Sequence, residues 1–300
     1  MKRLMLVLVV GLLASSVQAQ DSVEFEAKQV AKGLTMLSGV GGFSGGNILI
    51  STGADGTIMI DDSMPPLAEK LQAKIKEVAG GDVDYLINTH LHGDHTGNNA
   101  TFAATGTHII GHKNVRERMS ADSKLSADSL PVITFSDEMS FYLNAQPARI
   151  MHVAKAHTDG DSVIYFTEAN VIHTGDTLFN GMFPFVDLDN GGSVQGYLDA
   201  QQKIIDLADQ DTVIVPGHGP LGKVEDVTAA RDMLAESRRR IADLIKQGKT
   251  IEDIVAMNPL ADYHEQWNWG FITTEKMTRT LFRDLQKYGE DPHSSHHHSH

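Results

Sequence analysis

Cysteine is missing from all 300 residues. That absence excludes disulfides, thiolate ligands to a metal and a cysteine nucleophile. Positive charge is also short: 25 Lys and Arg stand against 39 Asp and Glu, for a formal net charge of -14. Such a balance argues against a nucleic acid or an anionic membrane surface as partner. It leaves a small-molecule substrate open, because a bound cation reverses the local field. Long apolar runs are lacking too. The run from Leu4 to Ala14 is too short to span a bilayer. It follows Lys2 and Arg3 and precedes "VQA" at 17–19, which reads as a secretory signal cleaved after Ala19. The expected location is therefore periplasmic or secreted, with no membrane attachment once the signal is removed. No long polar linker divides the rest, so residues 20–292 are expected to form one domain, with C-terminal helices from about 224. The tail "HSSHHHSH" (293–300) is a low-complexity, His-rich end expected to lie outside the fold.

What is present is an alternation of short apolar runs and helical patterns. "LTMLSGV" (34–40), "NILIST" (47–52) and "GTIMIDD" (56–62) read as strands joined by glycine turns. Leu67, Leu71, Ile75 and Val78 recur at helical spacing and predict a helix over 65–80, opened by prolines. "VDYLINTH", "THIIGH", "ARIMHVAKAH", "DSVIYFTEANVIHTGD" and "TVIVPGHG" read as further strands, and the last three run out into loops carrying His or Asp. Helices are expected over 224–248, 250–257 and 273–288. A sheet that delivers such residues from its strand ends supplies rigid positions, and the loops supply chemistry.

The densest of these clusters is "HLHGDH", with His90, His92, Asp94 and His95 within six residues. Imidazole and carboxylate are the usual ligands of zinc and similar ions. One ion cannot comfortably take four side chains from so short a stretch, whereas two neighbouring ions can share them. A metal pair suits hydrolysis, because it makes water more acidic and polarises the electrophile. A purely structural metal loop or a solvated polar loop is the plainer alternative.

"HLHGDH" has the form H-x-H-x-D-H and resembles the signature of the metallo-β-lactamase superfamily. The resemblance continues through "AHTDGDSVIYF" with His157, "IHTGDTLF" with Asp176 and "VPGHG" with His218, over about residues 30–220. It implies an α/β fold, a four-layer αβ/βα sandwich of two mixed sheets with outer helices. It implies that His90, His92 and His157 hold one zinc, and that Asp94, His95 and His218 hold the second. Asp176 would bridge the pair, with hydroxide between the ions oriented by Asp94 as the catalytic carboxylate. Iron or manganese would suit the same ligands. Asp61, at the end of "TIMIDD", would steady a ligand loop through hydrogen bonds. His173 is expected to be structural, and His108, His112 and His152 to be ordinary.

The family hydrolyses β-lactams, lactones, thioesters, phosphodiesters and sulfate esters, so fold alone leaves the substrate open. Asp176 stands where many lactamases of this family have cysteine, and Phe179 where they have a carboxylate-gripping lysine. Export favours a β-lactam or a similar cyclic amide or ester as substrate, with a lactone, thioester or other ester as the alternative. A non-catalytic metal-binding protein and a di-iron redox protein are further readings. Phe179, Phe183, Phe185 and Asn190, in a segment expected to be a loop (179–197), are candidates for the substrate pocket, with Met182 beside them. "SRRR" (237–240) is expected to be a solvated face, and Trp267 and Trp269 core.

Overall fold

In this computed structural model, which describes residues 22–289, the apolar runs pair into two sheets. The signal segment expected at 1–19 and the tail at 293–300 lie outside the described residues. The first sheet holds seven strands in sequence order: β1 (Glu24–Ala31), β2 (Leu34–Val40), β3 (Ile48–Gly53), β4 (Gly56–Ile60), β5 (Tyr85–Ile87), β6 (His108–His112) and β7 (Ile133–Phe135). β1 to β4 pair antiparallel across short turns. From β4 to β7 the pairing is parallel. Parallel neighbours require crossovers. Helices supply them: α1 (Ala68–Ala79), the short α2 (Gly93–Thr96) and α3 (Asn99–Ala103), and α4 (Lys113–Ala121).

The second sheet is ordered β12-β11-β10-β9-β8. Its strands are β8 (Glu138–Leu143), β9 (Gln146–His152), β10 (Ser162–Phe166), β11 (Val171–His173) and β12 (Val213–Val215). Only the β11–β12 pair is parallel, and α5 (Val194–Leu207) crosses between them. The chain then turns helical through α6 (Val224–Lys246), α7 (Ile251–Met257), α8 (His264–Trp267) and α9 (Thr274–Tyr288).

Side-chain alternation sorts the core into layers. In β3, Leu49 faces the second sheet with Met36, Ile60, Ile150 and Ile164. Its neighbours Ile48 and Ile50 face the other way, onto Leu67, Leu71 and Ile75 at the start of and along α1. Beyond the second sheet, Met151, Val163 and Ile172 pack against Tyr197, Leu234, Met277 and Leu281 of the outer helices. The result is the expected αβ/βα sandwich. Strand β3 therefore reads as an unbroken apolar run because both of its faces are buried.

The limits of several elements differ from expectation. β5 covers only Tyr85–Ile87, so His90 sits three residues into the loop. α1 is preceded by a 3₁₀ turn at Pro65–Leu67. The segment expected to be a loop through 197 ends earlier, because Ser193 accepts a hydrogen bond from Gly196 N and starts α5. No described helix is long and apolar enough to cross a membrane.

Candidate metal centre

The C-terminal ends of β4, β5, β11 and β12, with the loop after β9, converge at one edge of the sandwich. There the ring nitrogens and carboxylates of His90, His92, His157 and Asp176 lie within 4.8 Å of one another, as do those of Asp94, His95 and His218. Asp176 faces both sets. Its Oδ2 is 3.7 Å from His90 Nε2 and 3.5 Å from His157 Nε2. Its Oδ1 is 3.1 Å from His95 Nε2 and 3.4 Å from His218 Nε2. Asp94 Oδ2 stands 3.6 Å from His95 Nε2 and 3.4 Å from His218 Nε2.

Four of the inward-facing histidines, His90, His92, His95 and His157, are aimed by the other ring nitrogen. His90 Nδ1 is 3.0 Å from Thr89 Oγ1. His92 turns Nδ1 inward, 2.8 Å from His157 Nε2, and gives Nε2 to Asp187 Oδ2 at 2.9 Å. His157 Nδ1 is 2.6 Å from the Phe185 carbonyl. His95 Nδ1 is 2.7 Å from Asp61 Oδ2. Partners of this kind fix ring orientation at metal sites. Asp61 is buried, in a left-handed conformation (φ 61°), and also accepts from Thr89 N and Thr89 Oγ1. It steadies the "THLHGDH" loop by hydrogen bonds. His173 holds the neighbouring loop: its Nδ1 accepts from Gly175 N, and its Nε2 meets the Asn47 carbonyl.

Two features fit this cluster to cations. His90 Nε2 and Asp176 Oδ1 are buried and have no hydrogen-bond partner, which costs free energy unless another group satisfies them. The electrostatics point the same way. Burial, then His95, drives His90 well below its usual range, which leaves a neutral imidazole. Burial opposes ionisation of Asp176, but His95 and His218 outweigh it and hold the carboxyl well below the usual range. Burial likewise opposes protonation of His218, yet Asp176 and Asp94 outweigh it and push the ring up to about 9. The carboxylates thus demand positive charge at this point, which protons or divalent ions can supply. Glycine makes room for the packing. A Cβ on Gly217 would fall 2.1 Å from Asp176 Oδ1, and one on Gly46 2.1 Å from His95 Cε1.

A cavity of about 760 Å³ opens onto this cluster, with His92, Asp94, Asp176 and His218 at its floor. Phe179 and Phe185 line it as expected. Phe179 stacks on the His218 ring at 4.9 Å, and Phe185 on His92 at 5.7 Å. Two of the candidate pocket residues do not belong there. Phe183 is fully buried in the outer core, because it packs inward while its carbonyl accepts from Trp269 Nε1. Asn190 is turned away from the cavity: its amide donates to Asp187 Oδ2 and its Oδ1 accepts from Arg118. Trp267 is core, as read, but Trp269 lines the cavity with Phe43 and Phe271. These three, and Asp187, escaped the sequence reading. Asp187 sits in "FVDLDN" among similar acids, and nothing local distinguishes the one that reaches His92.

His108 is exposed, while His112 and His152 stack on each other at 3.8 Å, away from the cavity. The 237–240 run is tied up in ion pairs along α6, including Arg239 with Glu236 and Arg240 with Asp262.

The model of the metallo-beta-lactamase superfamily matches residues 41–218. Among curated proteins, the chain is 29% identical over 190 residues to a hydroxyacylglutathione hydrolase of Polaromonas sp., covering 62% of this chain and 66% of that protein. It is 30% identical over 134 residues to the same-named protein of Methylococcus capsulatus, covering 44% and 46%. Against that of Brucella anthropi it is 28% identical, covering 67% and 75%. The chain thus spans from about half to three quarters of the length of these relatives. A solved metallo-beta-lactamase from Pontibacter korlensis aligns with a TM-score of 0.62 at 19% identity, over 71% of this chain and 99% of that one, which shows the shared fold. With the motif residues gathered at one strand-end edge and the family model matching more than half its length, the chain belongs to the metallo-beta-lactamase superfamily.

Proposed function

We propose that this protein is a hydrolase of carboxylic esters or thioesters that holds two divalent ions, zinc by preference. The observation that carries the proposal is Asp176, whose two oxygens face two separate histidine sets. His90, His92 and His157 would hold one ion, and Asp94, His95 and His218 the other, with Asp176 shared. When bound, such a pair makes water more acidic and polarises a carbonyl. Asp94 is the more exposed of the two carboxylates at the cavity floor and would accept a hydrogen bond from the attacking water. Burial pushes its pKa up, but His95 and His218 outweigh that and keep it ionised. The water oxygen bonds to the acyl carbon, the C–O or C–S bond breaks, and a proton from the water passes to the leaving group. No serine or cysteine nucleophile is needed.

The ester or thioester reading has better support than the β-lactam reading. Hydroxyacylglutathione hydrolases recur among the relatives. Among the described residues, no lysine or arginine lines the cavity to grip a β-lactam carboxylate. The proposal includes export to the periplasm, which rests on the pattern of residues 1–19 alone; cell fractionation tests it.

The test of the chemistry is a substrate panel on zinc-loaded protein: a thioester, an aryl ester, a lactone, a penicillin, a cephalosporin and a phosphodiester. Turnover of the thioester or ester above the rest is expected. Turnover confined to the phosphodiester or to the β-lactams would defeat this reading.

A further inference from the structure

The match to the family model ends at His218, yet the chain runs on through four more helices. That later segment returns to the metal cluster. The stretch between α8 and α9 brings Trp269, Gly270 and Phe271 to the cavity wall. Phe271 packs edge-on to Phe185 at 5.4 Å and to Trp269 at 5.6 Å. Trp269 lies 5.9 Å from Phe179, which itself stacks on His218. Opposite them, Phe43 stacks on His218 from the loop after β2 at 5.8 Å. The aromatic wall therefore begins against the imidazoles of the cluster and continues to the mouth.

This wall is built and is left uncovered. Trp269 is pinned by its Nε1 bond to the Phe183 carbonyl. Lys276 holds the backbone of Phe271 by donating to its carbonyl, and its ammonium lies 3.7 Å from the Phe271 ring centre. Phe43 and Phe271 nonetheless leave 56% and 50% of their surface exposed, among the largest values for described apolar residues. Exposed rings at the mouth of a concave site mark a place for an apolar ligand. Charge narrows the ligand further. Among the described residues, the ionisable side chains that line the cavity are Asp94, Asp176, His92 and His218, all at the floor, with no lysine or arginine. Lys276 stands over two rings of this wall, 3.7 Å from the Phe271 ring centre and 5.8 Å from that of Phe185, and its bond to the Phe271 carbonyl holds it there.

We propose that the 269–271 segment makes the acyl-binding wall of this enzyme, and that its substrates carry an uncharged alkyl or aryl acyl group rather than an anionic one. The proposal rests on the hydrolase reading above, because the scissile carbonyl must sit at the cavity floor while the acyl chain lies along Phe271 and Trp269. A buried methylene lowers the free energy of a complex enough to change an equilibrium about fourfold. Partial burial at an open mouth should give about twofold to fourfold per methylene in kcat/KM.

The test uses the zinc-loaded full chain and 4-nitrophenyl esters of acetic, butyric and hexanoic acid, with the 4-nitrophenyl monoester of adipic acid as the anionic arm. kcat/KM is expected to rise along the neutral series, mainly through KM, and to fall at least tenfold for the adipate monoester relative to the hexanoate. Phe271→Ser should flatten the series. Tyr142→Ser, on the far edge strand and 81% exposed, should leave it as it was. A second readout does not depend on turnover. Hexanophenone, a neutral ketone with no bond to hydrolyse, should quench Trp269 fluorescence saturably, and more weakly in Phe271→Ser. Trp267 is buried in the core and supplies a constant background. Hydrolysis of every ester at equal efficiency, with no saturable quenching, would overturn the acyl wall and leave the hydrolase standing. Saturable quenching without hydrolysis of any ester would support the wall and sink the hydrolase.

Discussion

Asp187 Oδ2 lies 2.9 Å from His92 Nε2, so the cavity-floor histidine is steered by a carboxylate that is 95 residues away in sequence. The carboxylate is itself held. Asn190 donates to the same oxygen from its side chain, while the backbone N–H groups of Asp189 and Asn190 reach Oδ1. Arg118 in turn binds Asn190 and pairs with Asp159 at 2.6 Å. A partially exposed arginine on α4 is thus connected through side chains to the cluster.

Asp187→Ala should weaken metal binding by about 10- to 100-fold, the usual cost of losing such a partner. Asp187→Asn keeps a hydrogen-bonding oxygen and should lose less. Competition against a zinc chelator of known affinity gives the comparison directly. Equal affinity in the alanine variant and the parent would remove Asp187 from this role.

Gly217 carries a second prediction, from space rather than charge. Its missing side chain leaves the room that Asp176 Oδ1 occupies. Gly217→Ala should displace Asp176 and lower the bound metal per chain, measured by emission spectrometry. Gly81→Ala is the control, since a Cβ there meets nothing within 4 Å. Retention of full metal content by Gly217→Ala would show that the Asp176 loop can shift without cost.

The sequence disclosed the cluster because its chemistry is local. His90, His92, Asp94 and His95 are neighbours along the chain, and His157, Asp176 and His218 each follow an apolar run. The wall of the cavity is not local. Phe43, Phe179 and Phe271 come from three distant segments, and no periodicity links them. Trp269 looked like core because a tryptophan near an apolar stretch usually packs inward. Strands showed the same contrast. β3 and β4 are buried on both faces and read as plain apolar runs. β1 and β8 lie at sheet edges and are mostly exposed or half-buried, so polar residues interrupt them and neither reads as a plain apolar run. Register and layer order depend on which faces meet, which becomes legible only when the sheets pack.

The stacked pair of His112 and His152 predicts a pH dependence of stability. Burial, with His152 beside it, holds His112 down to about 4, against the pull of its bond to the Ser136 carbonyl. His152 is lowered too, by burial first. A folded-state value below the unfolded one, near 6.5, means that the unfolded chain takes up the proton first. The contribution to stability is therefore intact above about pH 6.5 and is lost as pH falls toward 4. At pH 5 the loss from His112 alone should be about 2 kcal/mol. His112→Gln removes the titration, so its urea-unfolding free energy should fall less between pH 7 and pH 5 than that of the parent. Parallel pH profiles for the two proteins would contradict the account.

The last prediction separates Phe183 from its aromatic neighbours. The residue was expected at the pocket, but its ring is fully buried beyond the second sheet, in the cluster that includes Leu178, Tyr197 and Trp267. Its backbone N–H donates to the Trp267 carbonyl at 2.7 Å, and its carbonyl accepts from Trp269 Nε1 at 2.9 Å. The backbone at 183 therefore fixes the cavity wall, while the side chain fills the core. Phe183→Ala deletes the ring and leaves both of those backbone bonds possible. The cavity it creates should cost about 3–5 kcal/mol. For a chain of this size that corresponds to a fall in Tm of roughly 5–10 °C. Phe183→Leu fills most of the same space and should cost markedly less. KM for a neutral ester, measured well below the lowered Tm, should stay within about twofold of the parent if the ring only fills the core, since a half-kilocalorie change is the usual noise of distant sites. An unchanged Tm together with a raised KM would return Phe183 to the pocket.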